Sequence, residues 1–507
     1  MKIKYLFVSL ALVVILTSGC IQKESAEWDE SRLDLLAFQE FNKSHFGFMH
    51  PERAYFFMKE LGVHWARPHP GPFIWGRIEK TKGSYDWSEA DSYMKRSQAN
   101  DVVIIATIWP YADWDQEKCH AKLPPSSENY FIELGDYRGK PCDMEQYKEF
   151  LKKLVERYDG DGKDDMPGLK YPIKYWEIIN EAELSPRDSE RLPFFNAETD
   201  HDYFDVLKTS YITIKEVDPE AKVLVGGIAG EFRDESAEPL GNFMDKGGKN
   251  YTDILNIHTD FSPENLHLKT VREFMENHGI DMPIWITELQ FGASEGHHLF
   301  EPEGFMTNAT EEEVAEHLVK IFVQAFAAGA TRIFYVGLDD SPSLEKAWLV
   351  NCEIPRKEGP LEMIEKTLKL LKDATNETCT VQKPYYVFRT MIDKIDKFTE
   401  VETLFASEVE DPDSQKYCGD GVCDGPETPE TCPKDCKNIS VSETAVDGEA
   451  YKFIVNGKAV YVVWGQKLPK EITGQVKVTD IFGNEKIMNA SEIKLTESPA
   501  FIEIEKE

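Results

Sequence analysis

Two stretches of this sequence place a carboxylate where chemistry can be done. In KYWEIINEAEL an apolar, β-branched run ends in Asn180-Glu181, and in MPIWITELQFG a second such run ends at Glu288. Two carboxyl groups brought together repel when both are ionised, so one is held protonated while its neighbour stays charged. Such a pair can hand a proton to a departing oxygen from one side and attack an electron-poor carbon from the other. The fold must then deliver both to one place.

The pattern of elements supplies that fold. From residue 45 to 398, short apolar or β-branched runs alternate with amphipathic stretches, as when parallel strands are joined by helices. The runs are 45–50, 62–68, 102–110, 173–180, 222–227, 254–259, 283–289 and 332–337. Helical periodicity falls between them at 52–61, 88–99, 144–158, 203–217, 263–277, 311–328 and 385–397, several stretches opening after Asp, Ser or Thr caps. Eight strands with crossover helices predict an α/β fold, a closed (β/α)8 TIM barrel in preference to an open doubly wound sheet. The gap 288 − 181 is 107 residues, three βα steps of about 36 each against roughly 31 in a typical barrel. Glu181 therefore ends the fourth strand and Glu288 the seventh. Functional groups of a barrel sit at the carboxyl ends of its strands, so both acids face one mouth.

WEIINEAE and IWITEL resemble the two active-site signatures of the retaining clan A glycoside hydrolases, the group containing cellulases, xylanases, β-xylosidases and β-galactosidases. The resemblance covers about residues 45 to 398. It implies that Glu181 is the acid/base, that Glu288 is the nucleophile, and that an oligo- or polysaccharide is cleaved with retained configuration through a covalent glycosyl-enzyme. It also implies an arginine beside the nucleophile, which Arg67 at the end of the second strand matches. Asn180 is placed to hold a sugar 2-hydroxyl, and His258, ending the sixth strand, to orient a carboxylate or bind a hydroxyl. Trp109, Trp114, Trp285 and Tyr335 fall at or near strand ends, where aromatic faces can stack on the CH faces of sugars. At the eighth strand the clan usually carries tryptophan, whereas FYVGLDD offers Tyr335. A non-catalytic carbohydrate-binding surface lipoprotein on the same barrel is the alternative reading.

Composition sets the surroundings. Against 91 Asp+Glu stand 57 Lys+Arg, a formal charge of −34, which excludes a nucleic-acid binder held by phosphate neutralisation. With 41% hydrophobic residues the chain is expected to fold. Residues 1–20 combine two lysines, an apolar run and Thr17-Ser18-Gly19-Cys20, the layout of an export signal. The cysteine after Ser-Gly resembles a lipoprotein signal in which Cys20 is lipidated, the alternative being an ordinary cleaved signal. The protein is thus expected outside the cell or on its surface, touching a membrane only through a lipid on Cys20. Residues 21–44 read as a linker.

The eight remaining cysteines of an exported chain predict disulfides. Cys119 with Cys142 and Cys352 with Cys379 are the expected pairs. Cys418, Cys423, Cys432 and Cys436 form a dense module at 418–436 whose pairing stays open among three arrangements. Residues 399–507 otherwise alternate like strands at 451–455, 459–464, 475–480, 492–495 and 500–505, a small all-β, sandwich-like domain. YDGDGKDDMPGL resembles part of a calcium loop, but Lys170 stands where an EF-hand needs a bidentate glutamate, so it reads as a solvated acidic turn. No metal and no cofactor is called for.

Overall fold

A computed structural model describes residues 30–124, 132–182, 193–199, 201–229, 238–259, 268–290, 310–339, 348–352, 379–406 and 448–505. Eight parallel strands follow in order: β1 Phe46–Met49, β2 Trp65–Arg67, β3 in two pieces (Val103–Ile104 and Ala106–Ile108), β4 Tyr175–Ile178, β5 Lys222–Val225, β6 Leu255–Thr259, β7 Ile284–Leu289 and β8 Ala330–Tyr335. The first piece of β3 pairs with β2 and the second with β4. Bridges Leu224–Ile254 and Ile228–Ile257 join β5 to β6, and β8 returns to β1 with Ile333 opposite Phe46. The ring is closed, and every run of the 45–398 segment read as a strand contributes one.

The helices form where periodicity and caps coincide. Helix Met144–Tyr158 starts at Asp143, whose carboxylate accepts from the Gln146 amide, and it buries Tyr147, Phe150, Leu151, Leu154, Val155 and Tyr158 at three- and four-residue spacing. Helix Glu311–Ala327 opens with a full capping box between Thr310 and Glu313 and buries Val314, Leu318, Phe322 and Phe326 along one side.

The expected linker is not one throughout: residues Glu30–Phe41 form a helix that caps the amino end of the barrel. Phe38 joins Trp65, Val103, Leu224 and Trp285 in the core there, Phe41 stacks on His64, and the Trp65 indole donates to the Phe41 carbonyl. Its apolar residues close an otherwise open floor.

Beyond the barrel, β9 Val350–Cys352 and β10 Cys379–Val381 form an antiparallel ribbon that sets Cys352 opposite Cys379, and Cys379 is disulfide-bonded. A six-stranded antiparallel sheet follows, built from β11 Phe398–Phe405, β12 Gly448–Val455, β13 Lys458–Gly465, β14 Gln475–Asp480, β15 Glu485–Asn489 and β16 Ala500–Ile504, in the order β11-β12-β13-β16-β14-β15. Two readings need correction. The run 492–495 expected as a strand is not one, since it starts in a 3-10 turn, Ala490–Glu492, capped by Asn489, and the missed strand, Glu485–Asn489, has three successive exposed residues and so no buried face to announce it. Among the described residues there is one sheet, not two facing sheets, because the barrel supplies the second layer. Tyr451, Phe453, Val462 and Trp464 share the barrel core, while Ala450, Tyr461, Val463 and Ile502 build a small core on the other face. Residues 1–20 with Cys20, and the module with Cys418, Cys423, Cys432 and Cys436, lie outside the described residues. Among those described, no helix is long and apolar enough to cross a membrane.

Candidate active site at the carboxyl end of the barrel

The chain leaves β4 through a contorted turn. Ile179 and Glu181 have φ of 64° and 42°, a left-handed backbone uncommon for any residue with a Cβ and rarer still for a β-branched one. Neighbouring strands hold it, since the Ile179 amide donates to the Ile108 carbonyl at 3.0 Å and the Glu181 amide to the Gly227 carbonyl at 3.1 Å. Strain fixed in this way gathers where a side chain must be aimed. Here it sends Asn180 and Glu181 into the mouth.

Arg67, at the end of β2, is fully buried and surrounded by oxygen. Its Nη1 donates to Glu288 Oε1 at 2.8 Å, its Nε and Nη2 grip Glu177 of β4 bidentately at 3.0 Å each, and Nη2 also donates to Asn180 Oδ1. Burial alone would lower the guanidinium's pKa, but the two carboxylates overcome it and raise it. Arg67 is thereby a fixed cation at the floor of the mouth.

His258 links the two acids. Its Nδ1 is 2.9 Å from Glu181 Oε1 and 3.8 Å from Glu288 Oε1, and its Nε2 is 3.0 Å from Thr287 Oγ1. One oxygen of Glu181, one of Glu288 and a ring nitrogen of His258 all lie within 4.8 Å of one another. Gly227 makes room for the ring, because a Cβ there would stand 1.8 Å from His258 Nε2. Glu181 keeps some exposure and Glu288 little, the side chains being 12% and 8% accessible.

Arg67, Asn180, Glu181, His258 and Glu288 are thus brought together, while the four aromatics are not. Trp285 lies three residues before Glu288, near the start of β7, and packs in the floor against Trp65, Tyr175 and Phe334. Tyr335 ends β8 but is fully buried against Phe322 and Phe388 of the outer helices. Its neighbour Phe334 points into the floor, so strand alternation turns Tyr335 outward. Trp109 is also fully buried, its indole donating to the Pro70 carbonyl and its ring enclosed by His69, Tyr111 and Phe194. Trp114 is half-buried, braced on Trp75 and covered by the Lys118 ammonium. None of the four presents an open face to a sugar in this arrangement.

Sequence reasoning missed Glu177, Asn256 and Thr287, which form the polar floor of the site. Asn256 Nδ2 donates to Glu177 Oε1 at 2.6 Å, and Thr287 Oγ1 donates to Asn256 Oδ1 at 2.7 Å. A signal existed: each is a polar residue inside an apolar barrel strand, one to three positions from a residue already singled out. His50 and His69 were missed too. His50 closes the first strand run and His69 directly follows the second, their rings lie 5.8 Å apart, and burial lowers the His50 pKa against the opposing pull of Glu52 and Glu288.

Two outlying features complete the surroundings. Cys119 and Cys142 are joined in a disulfide, and the loop they close is also pinned by buried Asp115, whose carboxylate accepts from the Cys142 and Asp143 amides. In the acidic turn, oxygens of Asp159, Asp161 and Asp165 approach within 4.8 Å of one another. They serve the turn's own backbone: Asp159 accepts from Asp161, and Asp165 from Gly160 and Gly162.

No family model and no curated protein matches the chain. Solved structures do. A family 39 glycoside hydrolase from the gut symbiont Bacteroides cellulosilyticus WH2 superposes with a TM-score of 0.55 at 14% identity, covering 92% of this chain and 82% of that one. A family 39 β-xylosidase from Caulobacter crescentus gives a TM-score of 0.50 at 12% identity, covering 91% and 95%. The chain therefore has the fold of clan A glycoside hydrolases, a (β/α)8 barrel followed by an antiparallel β sheet.

Proposed function

We propose that the protein is an exported, retaining β-glycoside hydrolase acting on an oligo- or polysaccharide. The observation that carries this reading is the approach of Glu181 and Glu288 from β4 and β7, with carboxylate oxygens within 4.8 Å and Arg67 donating to Glu288. Retaining enzymes hold their carboxyls about 5 to 5.5 Å apart, whereas inverting ones leave about 6.5 to 9.5 Å for a water. In the first step the Glu288 carboxylate attacks the anomeric carbon while Glu181 gives its proton to the leaving oxygen, so the glycosidic C–O bond breaks and a glycosyl ester forms. In the second, Glu181 takes a proton from water, the hydroxide oxygen bonds to the anomeric carbon, and Glu288 leaves as carboxylate. Two inversions restore the configuration. Asn180, with its carbonyl turned to Arg67, keeps its amide nitrogen for a sugar hydroxyl.

Export and surface attachment through Cys20 belong to the same proposal. They rest on the leader sequence and on the Cys119–Cys142 disulfide, a bond that persists in oxidising compartments.

A panel of β-glycans read by product size tests the function. Hydrolysis by the parent and its loss in Glu288→Ala by at least about a thousandfold, with azide restoring turnover by a single displacement that gives a glycosyl azide of inverted configuration, is the expected result. Binding without released reducing ends across the panel would instead mark a carbohydrate-binding protein, and unchanged turnover in Glu288→Ala would remove the assigned nucleophile.

A further inference from the structure

Behind the two acids runs a chain of hydrogen bonds whose direction is set at one end. Every group facing Glu177 is a donor: Arg67 through Nε and Nη2, Thr107 through its hydroxyl, Gly227 through its amide at 3.4 Å, and Asn256. Asn256 must therefore turn its amide nitrogen to Glu177 and its carbonyl oxygen to Thr287. That oxygen can only accept, so the Thr287 hydroxyl spends its single proton on it. Thr287 Oγ1 is left to His258 Nε2 as an acceptor, and Nε2 must carry hydrogen. The other ring nitrogen, Nδ1, then faces Glu181 Oε1 at 2.9 Å with either a lone pair or the second proton of an imidazolium.

We propose that Glu177, Asn256 and Thr287 are positioning residues that lock His258 with hydrogen on Nε2, so that His258 and Glu181 together hold one transferable proton. This rests on the reading of Glu181 as acid/base. When the ring is neutral, the Glu181 carboxyl donates to Nδ1; when the ring is charged, Nδ1–H donates to the Glu181 carboxylate. A ring with hydrogen on Nδ1 alone would leave Glu181 ionised and without a proton to give. Among the described residues, the charged groups facing His258 are Glu181 and, at 3.8 Å, Glu288. The positive charge of Arg67 lies behind Glu288 and is matched by Glu177. Once the proton has gone to the leaving oxygen, the pair is refilled by the proton that Glu181 takes from water, and the ring's Nε2 hydrogen never leaves. Nothing else is consumed.

The tautomer can be read without substrate. Ring-¹⁵N-histidine protein, with the His258 signals identified by their loss in His258→Gln, should show Nε2 protonated and Nδ1 bare when the ring is neutral. Thr287→Val should shift that ring toward hydrogen on Nδ1 and Thr287→Ser should keep the parent pattern. In turnover, Thr287→Val should lose about tenfold or more on a poor leaving group, within the reach of general acid catalysis, and less than about twofold in the first step on an activated aryl glycoside. Thr287→Ser should restore the first rate. A neutral parent ring with its hydrogen on Nδ1, or a Thr287→Val ring that keeps the parent tautomer, overturns the proposal, and the parent spectrum decides alone where the valine variant does not fold. Binding without hydrolysis by the parent protein across the glycan panel would sink the glycosidase reading separately, leaving the tautomer result to stand or fall by itself.

Discussion

A buried arginine stands at each end of this barrel, Arg332 in the floor and Arg67 in the mouth. Arg332, near the start of β8, lies over the faces of Trp65 and Trp285 at 4.1 and 4.3 Å and donates to the carbonyls of Asn42 and Ser44. No carboxylate hydrogen-bonds to it among the described residues, and burial lowers its pKa to about 10. Arg67, at the end of β2, instead meets Glu177 and Glu288, and its pKa rises. The floor uses its arginine to bind backbone and fix the capping helix. The mouth uses its own to hold two acids close together. One residue type thus serves architecture or chemistry according to the charge of its partners and the strand end on which it sits.

The largest test of that contrast is Arg67→Met. Removing this cation leaves Glu177 and Glu288 buried and unpaired, so stability should fall by about 3–5 kcal/mol, the range for breaking a buried ion pair, and hydrolysis should vanish with it. Urea unfolding beside turnover on the responsive glycan checks both. Arg332→Met is the matched experiment. It strands the Asn42 and Ser44 carbonyls, so a loss of about 1–3 kcal/mol is expected, with turnover unchanged below the new unfolding midpoint. If Arg332→Met abolished turnover while stability held, the division between floor and mouth would be wrong.

Asp159 sharpens the comparison as a buried acid that lacks such a cation. Burial and the nearby Asp161 and Asp165 raise its pKa from 3.8 to about 6. A raised acid binds its proton more tightly when folded, so its contribution to stability is complete below pH 3.8 and is lost as pH climbs through about 6. Asp159→Asn should therefore gain about 1 kcal/mol at pH 7.5, after allowance for solvent screening, and nothing at pH 3.5. Denaturation at the two pH values provides the measurement, and a gain that persists at pH 3.5 would assign the effect to something other than this proton.

How far the site could be read beforehand differs residue by residue. Glu181 and Glu288 were legible because each ends a run of local, β-branched residues, and strand ends are set by neighbours in sequence. Asn180 and His258 were legible for the same reason. Glu177 was not, although it lies only four residues before Glu181, since its meaning comes from Arg67, 110 positions away. The aromatics failed through phase: Tyr335 ends its strand as expected but faces the outer helices, and Trp285 faces inward from the wrong end.

Local order therefore settled the strands, most of the helices and the two acids, because periodicity and capping act over a few residues. The helix on the floor escaped for want of a partner visible in its own twelve residues. Only tertiary structure decided which side each strand turns inward, which charges meet, and on which nitrogen His258 carries hydrogen. Those depend on contacts between segments far apart in the chain, where pairing register and the exclusion of water, not neighbouring residue types, determine the partner.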